Sequence, residues 1–96
     1  MLFFTASWCE PCRAVDLVLQ KLQRRDRKYV RIVAVDFDAA ADECTRWGVG
    51  QIPVVIVLSR QGKILLRADG ASRQTLNALE SGLAELVRRP RKRSPP

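Results

Sequence analysis

The chain has 96 residues, of which 47% are apolar, and a formal net charge of +7 without any histidine. This length fits one domain, and the apolar share is typical of a folded rather than a disordered chain. The absence of histidine excludes the commonest metal ligand and every Cys-His or Ser-His catalytic pair. Three cysteines are too few, and odd in number, for a small secreted disulfide framework.

The first part of the chain predicts a strand, a helix and a second strand. LFFT, residues 2–5, is a short apolar run typical of a buried strand. Pro11 fits the first turn of the helix that follows, where a missing N–H costs little. Apolar residues then recur at helical spacing, at Val15, Val18, Leu19 and Leu22. YVRIVAVDF, residues 29–37, is rich in β-branched residues and predicts the second strand.

The middle of the chain predicts a short helix and then a hairpin. We expect the helix over residues 39–47, with Asp38 as its N-cap and Gly48 at its end. IPVVIVLS, residues 52–59, is a strongly apolar strand, and KILLRAD, residues 63–69, returns as a fourth strand after a turn.

A last helix completes a domain over residues 1–88. Ser72 can cap this helix, and Pro90 lies just beyond it. Its apolar residues recur at Leu76, Leu79, Leu83, Leu86 and Val87. The order β-α-β-α-β-β-α predicts an α/β fold, a four-stranded mixed sheet with helices on both faces. Residues 89–96 are expected to form a disordered basic tail.

The motif WCEPC places Cys9 and Cys12 three positions apart, between the first strand and its helix. On spacing alone the pair is a redox dithiol, half of a metal site, or two packed thiols. A zinc site would need Cys9, Cys12, Cys44 and a carboxylate, and we expect no metal and no cofactor. Cys44 fits the buried face of the short helix, because free cysteine packs as a small hydrophobe.

A strand, then Trp8, Cys9, Pro11 and Cys12, then a helix resembles the thioredoxin superfamily. An Ile-Pro pair at residues 52–53, about forty residues later, and Gly70 extend this resemblance over residues 2–88.

The resemblance implies a role for each of these positions. Cys9 would attack a disulfide and Cys12 would resolve the mixed disulfide, with Cys9 open to a visiting protein and Cys12 further in. Trp8 would shield the site. A cis Pro53 would face the cysteines, and the backbone of Ile52 would pair with an extended substrate.

Glu10, between the cysteines, bears on the direction of the reaction. The free N–H groups of a helix N-terminus favour a Cys9 thiolate, while a nearby carboxylate disfavours it and Arg13 acts oppositely. A less stable thiolate in the reduced form makes a less oxidising couple, so we expect a reductant. The alternative is that Glu10 is a solvated acid that interacts only with the helix dipole.

Three departures from the resemblance bear on the site and on the sheet. Phe3 stands where many thioredoxins carry a buried aspartate, and Ala34 stands where they offer it a lysine. The family usually begins with one more strand and helix, and we expect this chain to lack them. Residues 30–36 would then form an exposed edge strand, which predicts weak dimerisation.

The function expected from these features is a thiol-disulfide oxidoreductase that reduces protein disulfides. Its electron donor would be an enzyme resembling thioredoxin reductase. The alternatives are an interaction module that uses its groove or basic tail, and an oxidase or isomerase. No specific nucleic acid is expected, because no aromatic residues interleave with the tail.

Hydropathy bears on where the chain acts. No apolar run reaches the ~18 residues of a membrane-spanning helix, and MLFF is too short for a signal peptide. We therefore expect a cytoplasmic protein, or a periplasmic or membrane-anchored one if translation begins upstream.

Overall fold

The fold has the element order that the sequence predicts. In a computed structural model, residues 1–26 and 30–88 are described, and the expected tail, residues 89–96, lies outside them. The elements are β1 (Leu2–Thr5), α1 (Glu10–Arg25), β2 (Val33–Asp36), α2 (Ala41–Arg46), β3 (Val54–Leu58), β4 (Ile64–Asp69) and α3 (Arg73–Arg88). None of the helices in the described ranges is both long enough and apolar enough to cross a bilayer.

The four strands form one mixed sheet in the order β2-β1-β3-β4. β1 pairs with β2 in parallel, so that Thr5 lies opposite Asp36. β3 is antiparallel to both β1 and β4, and Val54 lies opposite Asp69. The carboxyl ends of β1, β2 and β4 and the start of β3 therefore share one edge of the sheet.

Alternation along the strands divides the core into two layers. Phe3 and Val55 point to the face that α1 and α3 cover, and Phe4 and Ile56 point to the face of α2. α1 presents a buried stripe to the first layer, at Cys12, Val15, Leu19 and Leu22. Helices therefore cover both faces, as predicted.

Local signals set several of the element ends. Ser72 Oγ accepts from the Thr75 N–H at 3.1 Å, which confirms Ser72 as the cap of α3. Gly48 follows α2 with φ +64°, and Gly62 turns the β3-β4 hairpin with φ +87°. Few residues other than glycine adopt this left-handed conformation.

The second strand and the cap of the second helix differ from the predictions. β2 begins at Val33 rather than at residue 29, because it pairs only opposite the four residues of β1. Residues 27–29 lie outside the described ranges. α2 begins at Ala41 with Ala40 at its N-cap and no capping side chain, so the prediction for Asp38 is wrong.

The structure predicts a large difference between two leucines of α1. Leu19 is fully buried, whereas Leu17 is 68% exposed. Leu19→Ala should lower the free energy of unfolding by about 2–5 kcal/mol, because it removes buried methyl groups and leaves a cavity. Leu17→Ala makes the same change on the surface and should stay within about 0.5 kcal/mol of the parent. Urea unfolding of both variants tests this, and equal losses would contradict the described packing.

Candidate active site

Cys9 and Cys12 form a disulfide at the start of α1, with their Cα atoms 5.3 Å apart. Cys9 is the N-cap residue, and its Sγ accepts from the Cys12 N–H at 3.2 Å. A free N–H group at the helix N-terminus therefore points at the Cys9 sulfur, an arrangement that stabilises negative charge there. Of the three interpretations of the CxxC spacing, the redox dithiol is the one that requires the two sulfurs to bond, and they do so here.

Both cysteines are buried, with Cys9 4% exposed and Cys12 2% exposed. The expectation that Cys9 is open to a visiting protein is wrong for this oxidised form, because both residues belong to the core layer under α1 and α3. A surface cavity of about 280 Å³ nevertheless includes both cysteines in its lining. Arg13 and Asp16 are the charged residues that line it.

Apolar side chains replace the buried charged pair of many thioredoxins. Phe3 and Ala34 lie opposite each other in the register of β1 and β2, and both line the cysteine cavity. Phe3, which stands where the resemblance implies a buried aspartate, therefore lies beside the cysteines. This apolar replacement removes from this wall the carboxylate that could take a proton from Cys12.

Trp8 is the exposed neighbour of the cysteines, with 62% of its surface accessible. Its indole N–H donates to Asp38 Oδ2 at 2.6 Å, so the side chain that was predicted to cap α2 instead orients Trp8. This contact can be anticipated from the topology, because Trp8 and Asp38 follow the parallel strands β1 and β2, whose carboxyl ends meet at one edge of the sheet. The loops that follow them lie close together for the same reason.

Glu10 and Pro11 occupy the exposed first turn of α1. Glu10 Oε1 lies 3.8 Å from Arg13 Nη1, and both side chains are more than two-thirds exposed. Exposed pairs of this kind contribute about 0–1 kcal/mol to stability. Arg13 therefore offsets part of the negative charge that Glu10 brings to the cysteines.

The Ile52–Pro53 peptide bond is cis, which confirms the prediction. Ile52 packs against the core layer that contains both cysteines, and Pro53 O accepts from the Gly70 N–H at 2.8 Å. A second cavity, of about 350 Å³, is lined by Gly50, Gln51, Ile52, Pro53, Asp69 and Gly70. The structure thus brings Ile52, Pro53 and Gly70 together in a groove at the end of the sheet where β1 leads to the cysteines.

An arginine that the sequence analysis missed supports one wall of this groove. Arg67 donates to both carboxylate oxygens of Asp69, at 2.9 and 3.1 Å, and to the carbonyls of Trp47 and Gly48, at 2.7 and 3.1 Å. The hydrogen bonds that Arg67 donates to the Asp69 carboxylate raise the pKa of Arg67. The spacing i, i+2 within a strand puts Arg67 and Asp69 on one face, the only sequence signal for this pair.

The third cysteine lies on the other side of the sheet. Cys44 is buried in the layer under α2, with Phe4 and Ile56, as predicted for a core residue. The sheet separates it from Cys9 and Cys12. The ligand set considered for zinc, three cysteines and a carboxylate, is therefore not assembled.

Comparison with known proteins gives matches over most of the chain. The family model for thioredoxin matches residues 1–85. The mitochondrial thioredoxin-2 of Schizosaccharomyces pombe is 37% identical over 79% of this chain and 56% of its own length. A TPR repeat-containing thioredoxin, TDX, of Oryza sativa subsp. japonica is 34% identical over 88% of this chain and 25% of its own length.

Solved structures agree with these sequence matches. The crystal structure of thioredoxin from Trypanosoma brucei brucei superimposes with a TM-score of 0.77 at 27% identity, over 92% of this chain and 74% of that one. Oxidised mitochondrial thioredoxin 3 from Saccharomyces cerevisiae gives 0.72 at 28% identity, over 88% and 74%.

The chain spans only part of the length of the curated relatives that it matches. The chain spans 25% of the rice protein and 63% of thioredoxin C-2 of Corynebacterium nephridii, which is 30% identical over 72% of this chain. The family match over residues 1–85, the shared fold and the Cys9–Cys12 disulfide nevertheless give one answer: this chain belongs to the thioredoxin family.

Proposed function

We propose that this chain is a thiol-disulfide oxidoreductase that reduces protein disulfides through Cys9 and Cys12. The disulfide between these residues at the start of α1 carries the proposal, because it shows that the two sulfurs reach each other. The Cys12 N–H on the Cys9 sulfur supports the assignment of Cys9 as the attacking residue.

The proposed reaction starts from the reduced dithiol. The Cys9 thiolate attacks one sulfur of a substrate disulfide, so that a mixed disulfide forms and the other substrate sulfur leaves as a thiolate. Cys12, deprotonated, then attacks the Cys9 sulfur, which forms the Cys9–Cys12 disulfide and releases the second substrate thiolate. Protons from water convert both leaving groups to thiols. A dithiol donor, such as a thioredoxin reductase-like enzyme, returns two electrons.

Burial of the two cysteines is the main structural obstacle to this reaction. Less than a twentieth of either residue is exposed, so a partner sulfur has to enter the cavity that they line. The groove at Ile52 and Pro53 offers a place for an extended substrate segment. Trp8, exposed at the rim, supplies a flat apolar surface for docking.

Two features favour reduction over oxidation. Burial disfavours charge on sulfur in the reduced protein, and Glu10 adds a negative charge nearby. A couple whose reduced form has a less stable thiolate is a weaker oxidant. A reducing compartment such as the cytoplasm fits this direction, because a dithiol can cycle there.

A second candidate function is an interaction module that keeps the thioredoxin fold. The observation that favours it is the same burial, since less than a twentieth of either cysteine is exposed, whereas Gly50, Gln51 and Asp69 of the groove are exposed. The outer edge of β2, where Val33 is 48% exposed, is a further contact surface and would allow weak dimerisation.

Cysteine variants separate the two functions. In an insulin-reduction assay with dithiothreitol, Cys9→Ser should fall to the rate of dithiothreitol alone, because no thiolate is left to attack. Cys12→Ser should accumulate a mixed disulfide that mass spectrometry detects. Cys44→Ala, on the other side of the sheet, is the matched control and should keep parent activity. Equal rates for the parent and Cys9→Ser would favour the interaction module.

The redox potential tests the direction of the reaction. Titration against glutathione should give a value nearer thioredoxin's (about −270 mV) than protein disulfide isomerase's (about −180 mV). Glu10→Gln should raise it by about 15 mV, the equivalent of half a pKa unit on one thiol of a two-electron couple. Asp42→Asn makes the same change on α2 and should leave the potential unchanged. A potential above that of the isomerase would reverse the proposed direction.

The Trp8–Asp38 hydrogen bond predicts a positioning effect at the rim. Asp38→Ala frees the indole and should lower kcat/KM for insulin by about fivefold, the equivalent of one exposed charge-assisted hydrogen bond of about 1 kcal/mol. Asp42→Ala removes a nearby exposed carboxylate that makes no bond to Trp8 and should change kcat/KM by less than about twofold. No loss on Asp38→Ala would show that Trp8 needs no such anchor.

A further inference from the structure

Charge is distributed unequally between the two ends of the sheet. We call the edge where β1, β2 and β4 end the site end, since Trp8, Cys9 and Pro53 lie there, and the opposite edge the far end. α1 follows β1 and returns along it, and α3 does the same after β4, so both helices end at the far end. The position of a residue within its strand or helix therefore shows at which end of the sheet it lies.

The far end is rich in exposed basic side chains. It holds Lys21, Arg24, Arg25, Arg31, Arg60 and Lys63. The acidic side chains there are Asp26, which lies 3.9 Å from Arg25, Glu80, which lies 3.6 Å from Lys21, and Glu85. Among the described residues of the far end, the basic residues outnumber these acids.

The site end has the opposite balance. Its acidic residues are Glu10, Asp16, Asp36, Asp38, Asp42, Glu43 and Asp69, and its basic residues are Arg13, Arg46, Arg67 and Arg73. Three of these arginines lie within 4 Å of a carboxylate, at Glu10, Glu43 and Asp69. Among the described residues, positive charge is therefore concentrated away from the cysteines.

The far end also exposes aliphatic side chains next to its basic residues. Ile64 is 50% exposed and Leu65 is 44% exposed, and they directly follow Lys63 at the start of β4. Basic residues beside exposed aliphatic residues match the two layers of an anionic lipid surface, the charged headgroups and the start of the acyl chains.

We propose that the far end docks on a bilayer that contains anionic phospholipids. Each basic residue near such a surface strengthens binding by about fivefold. α1, with sixteen residues, is about 24 Å long. This exceeds the Debye length of about 8 Å at physiological salt, so the site end faces the solvent while the far end contacts lipid. The inference does not depend on the proposed redox function.

Lipid fits this surface better than nucleic acid does. Single-stranded nucleic acids bind where aromatic side chains interleave with basic ones. Among the described residues, Phe3 and Phe4 are buried, and Trp8, Phe37 and Trp47 lie towards the site end. Within the described ranges, the exposed apolar side chains at the far end are aliphatic, and they would bury their surface in a bilayer interface.

Co-sedimentation of the full chain with vesicles tests the proposal. Binding to vesicles of 70% phosphatidylcholine and 30% phosphatidylglycerol should be at least tenfold tighter than to pure phosphatidylcholine, and 0.5 M NaCl should abolish it. The double variant Arg60→Glu/Lys63→Glu should bind the anionic vesicles roughly 30-fold more weakly, from two contacts at about fivefold each. Both side chains are exposed in the hairpin turn, and circular dichroism checks that the fold is kept.

A matched double variant separates location from net charge. Arg13→Glu/Arg73→Glu changes the net charge equally at the site end, and its vesicle binding should fall by less than about threefold. Equal losses for the two double variants would show that net charge alone drives binding and would overturn the docking surface. Equal binding to both vesicle types would overturn it too. The proposal would also be overturned if the chain bound a 20-nucleotide DNA strand more tightly than the anionic vesicles and Arg60→Glu/Lys63→Glu weakened that binding. The surface would then bind nucleic acid.

Discussion

The pairing register of the sheet is the constraint on which the candidate site depends. Parallel pairing of β1 with β2 ends at Thr5 and Asp36, and the antiparallel strand β3 begins beside them after Pro53. Three loops therefore meet at one edge of the sheet. The loop after β1 leads to the cysteines, the loop after β2 holds Asp38, which bonds to Trp8, and the loop before β3 holds the cis peptide. The disulfide closes a loop of only four residues, so it restrains the chain little compared with the sheet. A slip of one residue in β1 would exchange Phe3 and Phe4 between the two core layers and would separate these loops from the helix start.

Phe3 links the core to the chemistry of the site. It packs in the same layer as Cys9 and Cys12 and faces Ala34 across the strand pair, so the wall beside the sulfurs is apolar. An apolar wall opposes charge on either sulfur and offers no side-chain base. The helix N-terminus acts in the other direction, through the N–H group aimed at Cys9. The reactivity of the pair is set by the balance of these two effects, and Asp16 is the carboxylate that lines the same cavity.

Local sequence signals were sufficient for the element order, the pairing of Cys9 with Cys12 and the cis Ile52–Pro53 bond, because each acts within a few residues. The CxxC motif before an apolar stripe, the Ile-Pro at a strand start and Ser72 three residues before Thr75 are signals of this kind. What could not be predicted depends on contacts between distant segments. Asp38 has the residue type and position of an N-cap, and only the neighbouring strand ends show that it bonds to Trp8 instead. The length of β2 is set by β1, and the burial of Cys9 is set by the helices packed around it.

The helix dipole explains part of the charge separation between the two ends, but it does not explain the basic residues of the β3-β4 hairpin. Acids favour the first turn of a helix and bases favour the last, and α1 follows this rule with Glu10 at its start and Arg24 and Arg25 at its end. α3 does not follow the rule, because its first turn holds no acid and begins with Arg73, so the preference accounts for Arg24 and Arg25 at the far end. Arg60 and Lys63 lie in a hairpin turn, where no helix dipole acts, and they stand beside exposed aliphatic residues. The hairpin is thus the part of the basic surface for which fold stability supplies no reason, and binding of an anionic surface supplies one.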